Sequence, residues 1–407
     1  MKIKIALIKN GGLGTGGTEK FLQTIAANLP KDIFDVDYYY SDITFLDGLK
    51  TKSISASTNR YDYLQGHGVN LIKFDIHKID PFSPYGEWIQ TNFWKKFDES
   101  KYSIIQIARG GAIEYPFYKI RNTPIVDSLH LVTGVDNQYN IARVIHITKW
   151  SRDKWVSMGG DISRTQIIYH PMSVQFETNE NYLKELNIQN RFIYGFHQRV
   201  SDYIFSSIPL KAYKLIETPH NHFMMLGGSE KYKIQAQELG IKNITFLEHT
   251  DDPQKIYKFL NTLNVYSHGR YDGEINSTAM AEAMYFGLPI VSHPSHLFNG
   301  HIECIGEAGF VESTIEQYSK RMIDFETNNI IYQKYRKFAT SNFYDNYDLR
   351  NQMNKIQNLY NEVINNPFPD YENRKKLEIL NKKNIFGIKR TILFLIKKIF
   401  KYLLNII

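Results

Sequence analysis

Short apolar runs alternate along this chain with amphipathic stretches, the rhythm of strands that are each followed by a helix. Ile3–Ile8 predicts a buried strand, Thr18–Asn28 a helix and Val36–Tyr40 a second strand. Ile104–Ala108, Ile125–Ser128 and Val144–Ile147 continue the pattern as later strands of the same sheet. The rhythm breaks around Ile167–Met172, where His170-Pro171 favours an extended connection, and a polar stretch follows to Asn190. It resumes with strands at Phe192–Phe196, Phe223–Leu226, Ile244–Leu247, Val265–His268 and Ile290–His293. Helices are predicted from Glu230 to Leu239, over Pro253–Leu263 and over Asp345–Ile364. The expected organisation is two α/β domains with parallel sheets, residues 1–172 and 191–345, joined by a linker at 173–190. A helix over 346–365 and a last segment at 366–407 follow.

Composition sharpens this picture. A chain of 407 residues exceeds one ordinary core, and 43% hydrophobic with 14% aromatic residues makes it globular. Cys304 is the single cysteine, which excludes an internal disulfide framework and fits a reducing compartment. The apolar run at Met1–Ile8 is too short for a signal peptide and reads as the first strand. The net charge of +7 lies wholly in residues 366–407, which hold ten Lys/Arg and three acids, leaving 39 of each sign in the body. A nucleic-acid surface would put its basic residues on the folded body, so none is expected.

Residues 385–407 have a helical pattern of their own. Lys389, Arg390, Lys397, Lys398, Lys401 and Asn405 share one half of the wheel, opposite Ile388, Ile392, Leu395, Ile399, Leu403 and Ile406. As a helix the segment would be about 34 Å long, enough to cross a bilayer. Crossing would bury Lys397 and Lys398 at about 2.5–3.5 kcal/mol each, whereas lying in the interface gains about 1 kcal/mol per basic residue near anionic lipid. In-plane anchoring to an anionic membrane surface is the expectation.

The candidate chemistry sits in two places. Asn10-Gly-Gly-Leu-Gly-Thr-Gly-Gly-Thr-Glu-Lys20 joins a predicted strand to a predicted helix, and its glycines permit close backbone approach to phosphate or sugar. Gly12-x-Gly14-x-x-Gly17, with Asp37 about twenty residues on, also satisfies the dinucleotide fingerprint, so a nicotinamide-dependent oxidoreductase stays open. Glu19, in the first turn of that helix, weighs against it. The second place is Glu274-Ile-Asn-Ser-Thr-Ala-Met-Ala-Glu282, followed by Ala-Met-Tyr-Phe-Gly-Leu-Pro-Ile-Val. Glu274 is expected on a loop and Glu282 about a turn and a half into a helix, whose N-terminal amides can receive an anion. Acidic side chains beside an anion site suit a phosphate-linked sugar.

This second segment resembles the Glu-x7-Glu signature of retaining family-4 glycosyltransferases of the GT-B fold. The resemblance implies two Rossmann-like domains facing a cleft, a final helix crossing back to the first domain, and a nucleotide-diphosphate sugar as co-substrate without a metal. Its reach is roughly residues 1–365, strongest at 265–295. It implies that Glu274 holds the sugar hydroxyls, Glu282 the nucleotide ribose, and that His130 orients the sugar. Arg199, ending Gly195-Phe-His-Gln-Arg199, would stabilise the leaving diphosphate. Arg270 is a further cation candidate, and Gly16, Gly17, Asn276, Ser277 and Thr278 would border the donor. Relatives carry a lysine where Ile204 stands here, so either Lys211 or a more distant base substitutes or the leaving group is stabilised less. Asn276 and Ser277 likewise replace an aromatic and a glycine. His293 and Asn299-Gly-His-Ile-Glu303 are minor lining candidates. Asp35-Val-Asp37 matches the metal motif of the other major glycosyltransferase fold but lies in a predicted strand too early in the chain, so no metal is expected. The expected acceptor is a lipid-linked glycan for a cell-surface polysaccharide, at the inner face of the cell membrane. A catalytically degenerate membrane scaffold is the remaining alternative.

Overall fold

The computed structural model describes residues 2–368 apart from positions 12, 15, 42, 47–49, 54–57, 81–85, 111–113, 137 and 175. The expected membrane-binding segment at 385–407 therefore lies outside the described residues. The chain divides into two compact units, one of residues 1–147, 151–168 and 353–407, the other of 148–150 and 169–352.

The first unit is built on seven parallel strands in the order Thr165–Ile167, Ile141–His146, Ile125–Leu129, Ile104–Arg109, Ile3–Lys9, Phe34–Tyr40, Asn70–Lys73. The central strands are covered on both faces, which is why they read as continuous apolar runs: Ile5, Ala6, Leu7, Ile104, Ile105 and Ile107 are fully buried. The helix Gly17–Asn28 turns Phe21, Leu22, Ile25 and Ala26 inward. The helix Leu349–Asn365 buries Met353, Ile356, Leu359, Tyr360 and Val363, one face at helical spacing. Within this unit Tyr360 donates its hydroxyl to Gln106 Oε1, and Glu362 pairs with Arg143.

Six parallel strands form the second unit, in the order Ile244–Leu247, Asn221–Gly227, Phe192–Gln198, Val265–Ser267, Ile290–Ser292, Gly309–Val311. Two further short strands, Gly273–Glu274 and Phe298–Asn299, pair in parallel outside that sheet. Glu274 thus stands on a strand rather than on the expected loop. The helix Thr278–Tyr285 starts at Ser277, whose Oγ accepts from the Met280 amide at 3.2 Å. It stops at Gly287, left-handed at φ 67°, where Gly287 and Leu288 donate to the carbonyls of Met284 and Ala283.

In both sheets the chain lays down three strands to one side and then returns to continue beside its first strand. The two neighbours that part company are Ile3–Lys9 with Ile104–Arg109, and Phe192–Gln198 with Val265–Ser267. Ligands of doubly wound sheets bind outside the carboxyl ends of strands at such a switch point.

Candidate active site

In the first unit, the carboxyl ends at the switch carry the glycine loop, Arg109 and His130. Gly16 is the N-cap of the helix Gly17–Asn28 and offers no side chain to its amides. Glu19 pairs with Lys9 at 3.4 Å and folds back against the loop, its Oε2 lying 2.4 Å from where a Cβ on Gly16 would stand. His130, 7% exposed, follows the strand Ile125–Leu129; its amide donates to the Arg109 carbonyl and its ring packs edge-on to Phe21 at 4.9 Å. Phe21 belongs to the helix that Gly16 and Gly17 open, so these three predicted residues share one end of the sheet. Below them Arg109 is fully buried between Asp127 and Asp136, which fixes the ends of these strands.

Asp37, the acid the dinucleotide reading needs, is elsewhere. It sits in mid-strand opposite Ala6 and Asn70, accepts from the Tyr102 hydroxyl at 2.6 Å and Asn70 at 2.8 Å, and pairs with Lys4 at 3.2 Å. Both of its oxygens are committed within the first unit, so Asp37 does not serve as the ribose-binding acid that the dinucleotide reading needs.

The second unit gathers the remaining predicted residues at its own switch point. Arg199 follows the strand Phe192–Gln198, exposed and, among the described residues, without an ion pair. Two positions earlier His197 places Nε2 3.0 Å from Glu282 Oε2, while the Tyr266 hydroxyl donates to the His197 carbonyl at 3.2 Å. Glu282 is thereby held to the first strand of the sheet with its carboxylate partly open to solvent. Beyond the strand Val265–Ser267, Arg270 grips Asp272 through Nε at 2.6 Å and Nη2 at 3.0 Å, and reaches Glu274 Oε1 through Nη1 at 2.9 Å. These carboxylates outweigh burial and raise its pKa further above the ordinary arginine value. Its charge is already matched by two carboxylates, so Arg270 holds Glu274, whereas Arg199 is exposed and makes no ion pair among the described residues.

Asn276, Ser277 and Thr278 lead into the helix Thr278–Tyr285, with Ser277 committed as its cap. Ile204 is fully buried in the 3₁₀ turn Asp202–Ile204, so no cation stands at the position where relatives carry lysine. Lys211 is exposed on the helix Ile208–Ile216, and Lys231 reaches that turn through Asp202 at 3.9 Å. The minor candidates are held inside the fold. His293 has Ser206 Oγ on one ring nitrogen and the Pro294 carbonyl on the other, both at 2.8 Å. Asn299 accepts from the Ser295 amide, and Glu303 from the amides of Lys149 and Trp150. His197 and His268 carry one signal in the sequence, being polar at or just past the end of a predicted apolar strand, where ligand-facing or capping groups are expected; Asp272, in the loop that follows, carries none.

The family model "Glycosyl transferases group 1" matches residues 179–342, the span that holds this second cluster. No curated protein sequence matches the chain. Among solved structures, Anabaena Alr3699/HepE in complex with UDP is similar at 18% identity and a TM-score of 0.67, covering 89% of this chain and 100% of that one. A glycosyltransferase from Rickettsia africae ESF-5 is similar at 12% identity and 0.71, over 90% and 99%. The lipopolysaccharide outer core galactosyltransferase WaaB is similar at 14% identity and 0.59, over 88% and 98%. At these identities the structures speak for the fold, and the family match speaks for the chemistry of the second unit. Residues 179–342 match the group 1 glycosyltransferase family, and the chain as a whole has the GT-B fold.

Proposed function

We propose that this glycosyltransferase moves a sugar from a nucleotide-diphosphate donor, with retention and without a metal, to a lipid-linked glycan at a membrane surface. The observation that carries the donor half is the cluster at the second switch point: Arg199 with no ion pair among the described residues, and Glu274 and Glu282 each held by one oxygen, before and within the helix that Ser277 caps. Arg199 and the first amides of the helix Thr278–Tyr285 stabilise the departing diphosphate, an electrostatic task. Glu274 accepts from hydroxyls of the sugar, Glu282 from the ribose, and His130 orients the sugar. The acceptor hydroxyl attacks from the side the leaving group departs, and a donor phosphate oxygen takes its proton, so no protein nucleophile is needed. Binding of UDP and glucose by the Anabaena protein supports a nucleotide-sugar donor.

The acceptor half rests on the basic amphipathic pattern of residues 385–407 and on likeness to lipopolysaccharide transferases. Among the described residues no helix is long and apolar enough to cross a membrane. The proposed attachment is peripheral because Lys397 and Lys398 interrupt the apolar pattern of residues 385–407. Replacing Arg199 with Ala tests the mechanism: kcat should fall roughly 10²–10³-fold with donor binding less affected. Turnover at the native rate by that variant would contradict the role.

A further inference from the structure

Glu274 uses its two oxygens unequally. Oε1 accepts from Arg270, whereas Oε2 is buried, has no hydrogen-bond partner among the described residues, and lies 3.9 Å from Nε2 of His268. A buried carboxylate oxygen in a native fold is normally completed by something. His268 is the neighbour that could help complete it, and the reaction scheme above gives it no task.

The state of His268 follows from its surroundings. Its side chain is 5% exposed and its Nδ1 lies 2.8 Å from Ser292 Oγ. Burial, reinforced by His301, His293, Arg270 and His197, holds the imidazole well below its ordinary pKa, so the ring is neutral and its approach to Glu274 is not an ion pair. With the Ser292 hydroxyl donating to Nδ1, the one ring proton sits on Nε2, directed at the carboxylate; the negative charge there favours the same tautomer.

A donor and an acceptor 3.9 Å apart are too distant to bond each other. They are well spaced for one hydroxyl oxygen about 2.8 Å from each, which donates to Oε2 and accepts from Nε2–H. We propose that His268 and Glu274 together bind a single hydroxyl of the donor sugar, making His268 specificity-determining for the position and configuration of that hydroxyl. The inference rests on the reading of Glu274 as a sugar ligand. A group that both gives and takes a hydrogen bond satisfies the pair; an absent hydroxyl strands both polar atoms, and such sites reject the analogue strongly. The backbone supports the arrangement. Gly273 is left-handed at φ 71°, and a Cβ there would stand 1.8 Å from the Phe298 carbonyl, so Glu274 enters the site from a turn only glycine allows.

The experiment measures binding by titration calorimetry. UDP-, GDP-, ADP- and CDP-linked glucose, galactose, mannose and N-acetylglucosamine are screened first, then the free nucleotide and the single deoxy analogues of whichever sugar binds. Against the native protein one deoxy analogue should bind at least 10-fold more weakly than its parent. His268→Leu should weaken the parent sugar about 10-fold, leave the free nucleotide unchanged and erase discrimination against that analogue. His268→Gln, whose amide nitrogen falls near the position of Nε2, should restore much of it. Equal weakening of nucleotide and nucleotide sugar by His268→Leu, or unchanged discrimination, would show a merely structural histidine and overturn the proposal. Glu274→Gln separates the two levels. If it weakens the sugar while His268→Leu does not, only the role of His268 fails. If it leaves the sugar unaffected, or if no nucleotide sugar binds, the underlying reading fails as well.

Discussion

Each carboxylate of the pair eight positions apart has one oxygen held by a neighbour, Glu274 by Arg270 and Glu282 by His197. The holders differ, and so should the consequences of substitution. On the proposed reading, loss of Glu274 removes a contact to the sugar whose bond changes. Glu274→Gln should lower kcat/KM by roughly 10–100-fold, as expected for a hydrogen bond to a charged group. Glu282→Ala should mainly raise the donor's KM, since the ribose does not react; steady-state kinetics over a donor series tells these apart, and equal loss of kcat in both would refute the division of labour. The pair itself was legible because its spacing sits between a strand and a Gly-x-Pro stop. Arg270 was legible as a cation but not as a clamp, because Asp272 and Glu274 reach it together only once the turn at Gly273 has folded. His197 and His268 carry no spacing signal at all; their partners lie 85 and 24 positions away.

The helix Thr278–Tyr285 owes its place to its two ends. Ser277 caps the first turn and Gly287 closes the last, so the amides that would meet a diphosphate point from a fixed site. Ser277→Ala should cost about 1 kcal/mol of stability in the second unit, read as a lower thermal midpoint, with donor affinity falling alongside. An unchanged midpoint would mean that the cap contributes nothing. Central strands were readable because burial on both faces leaves them continuously apolar. Their ends were read short, since Lys9, Arg109 and Gln198 are polar residues at the ligand edge. The edge strand Asn70–Lys73 and the helix Ile208–Ile216 escaped: the first is half-exposed and short, and the second hides its periodicity behind Pro209.

Across the whole molecule, each unit buries a histidine in its neutral form. His146 has neither ring nitrogen hydrogen-bonded among the described residues, and burial pushes its pKa down to about 3 from 6.5. Burial, with the Arg191 charge added, lowers His222 to about 4. Both pKa values are depressed on folding, so their contribution is complete above pH 6.5 and is lost as pH falls towards 4 and 3. Each site adds a slope of about 1.4 kcal/mol per pH unit across that window. Thermal melts from pH 7 to 4.5 should show midpoints falling in acid, and His146→Leu should flatten the fall for the first unit; an unchanged profile would place the acid sensitivity elsewhere. The basic surplus confined to residues 366–407 belongs to this scale too. Removing residues 380–407 should release the protein from vesicles containing anionic lipid while leaving donor binding intact, and persistent vesicle binding would assign attachment to the body.

The central claim is that the second switch point is a nucleotide-sugar site. Its most direct test is a binding panel of UDP-, GDP-, ADP- and CDP-sugars together with NADH, all in EDTA. Saturable binding of one nucleotide sugar, with none of NADH, is the predicted result. Binding of NADH alone, or of no member of the panel, would contradict it.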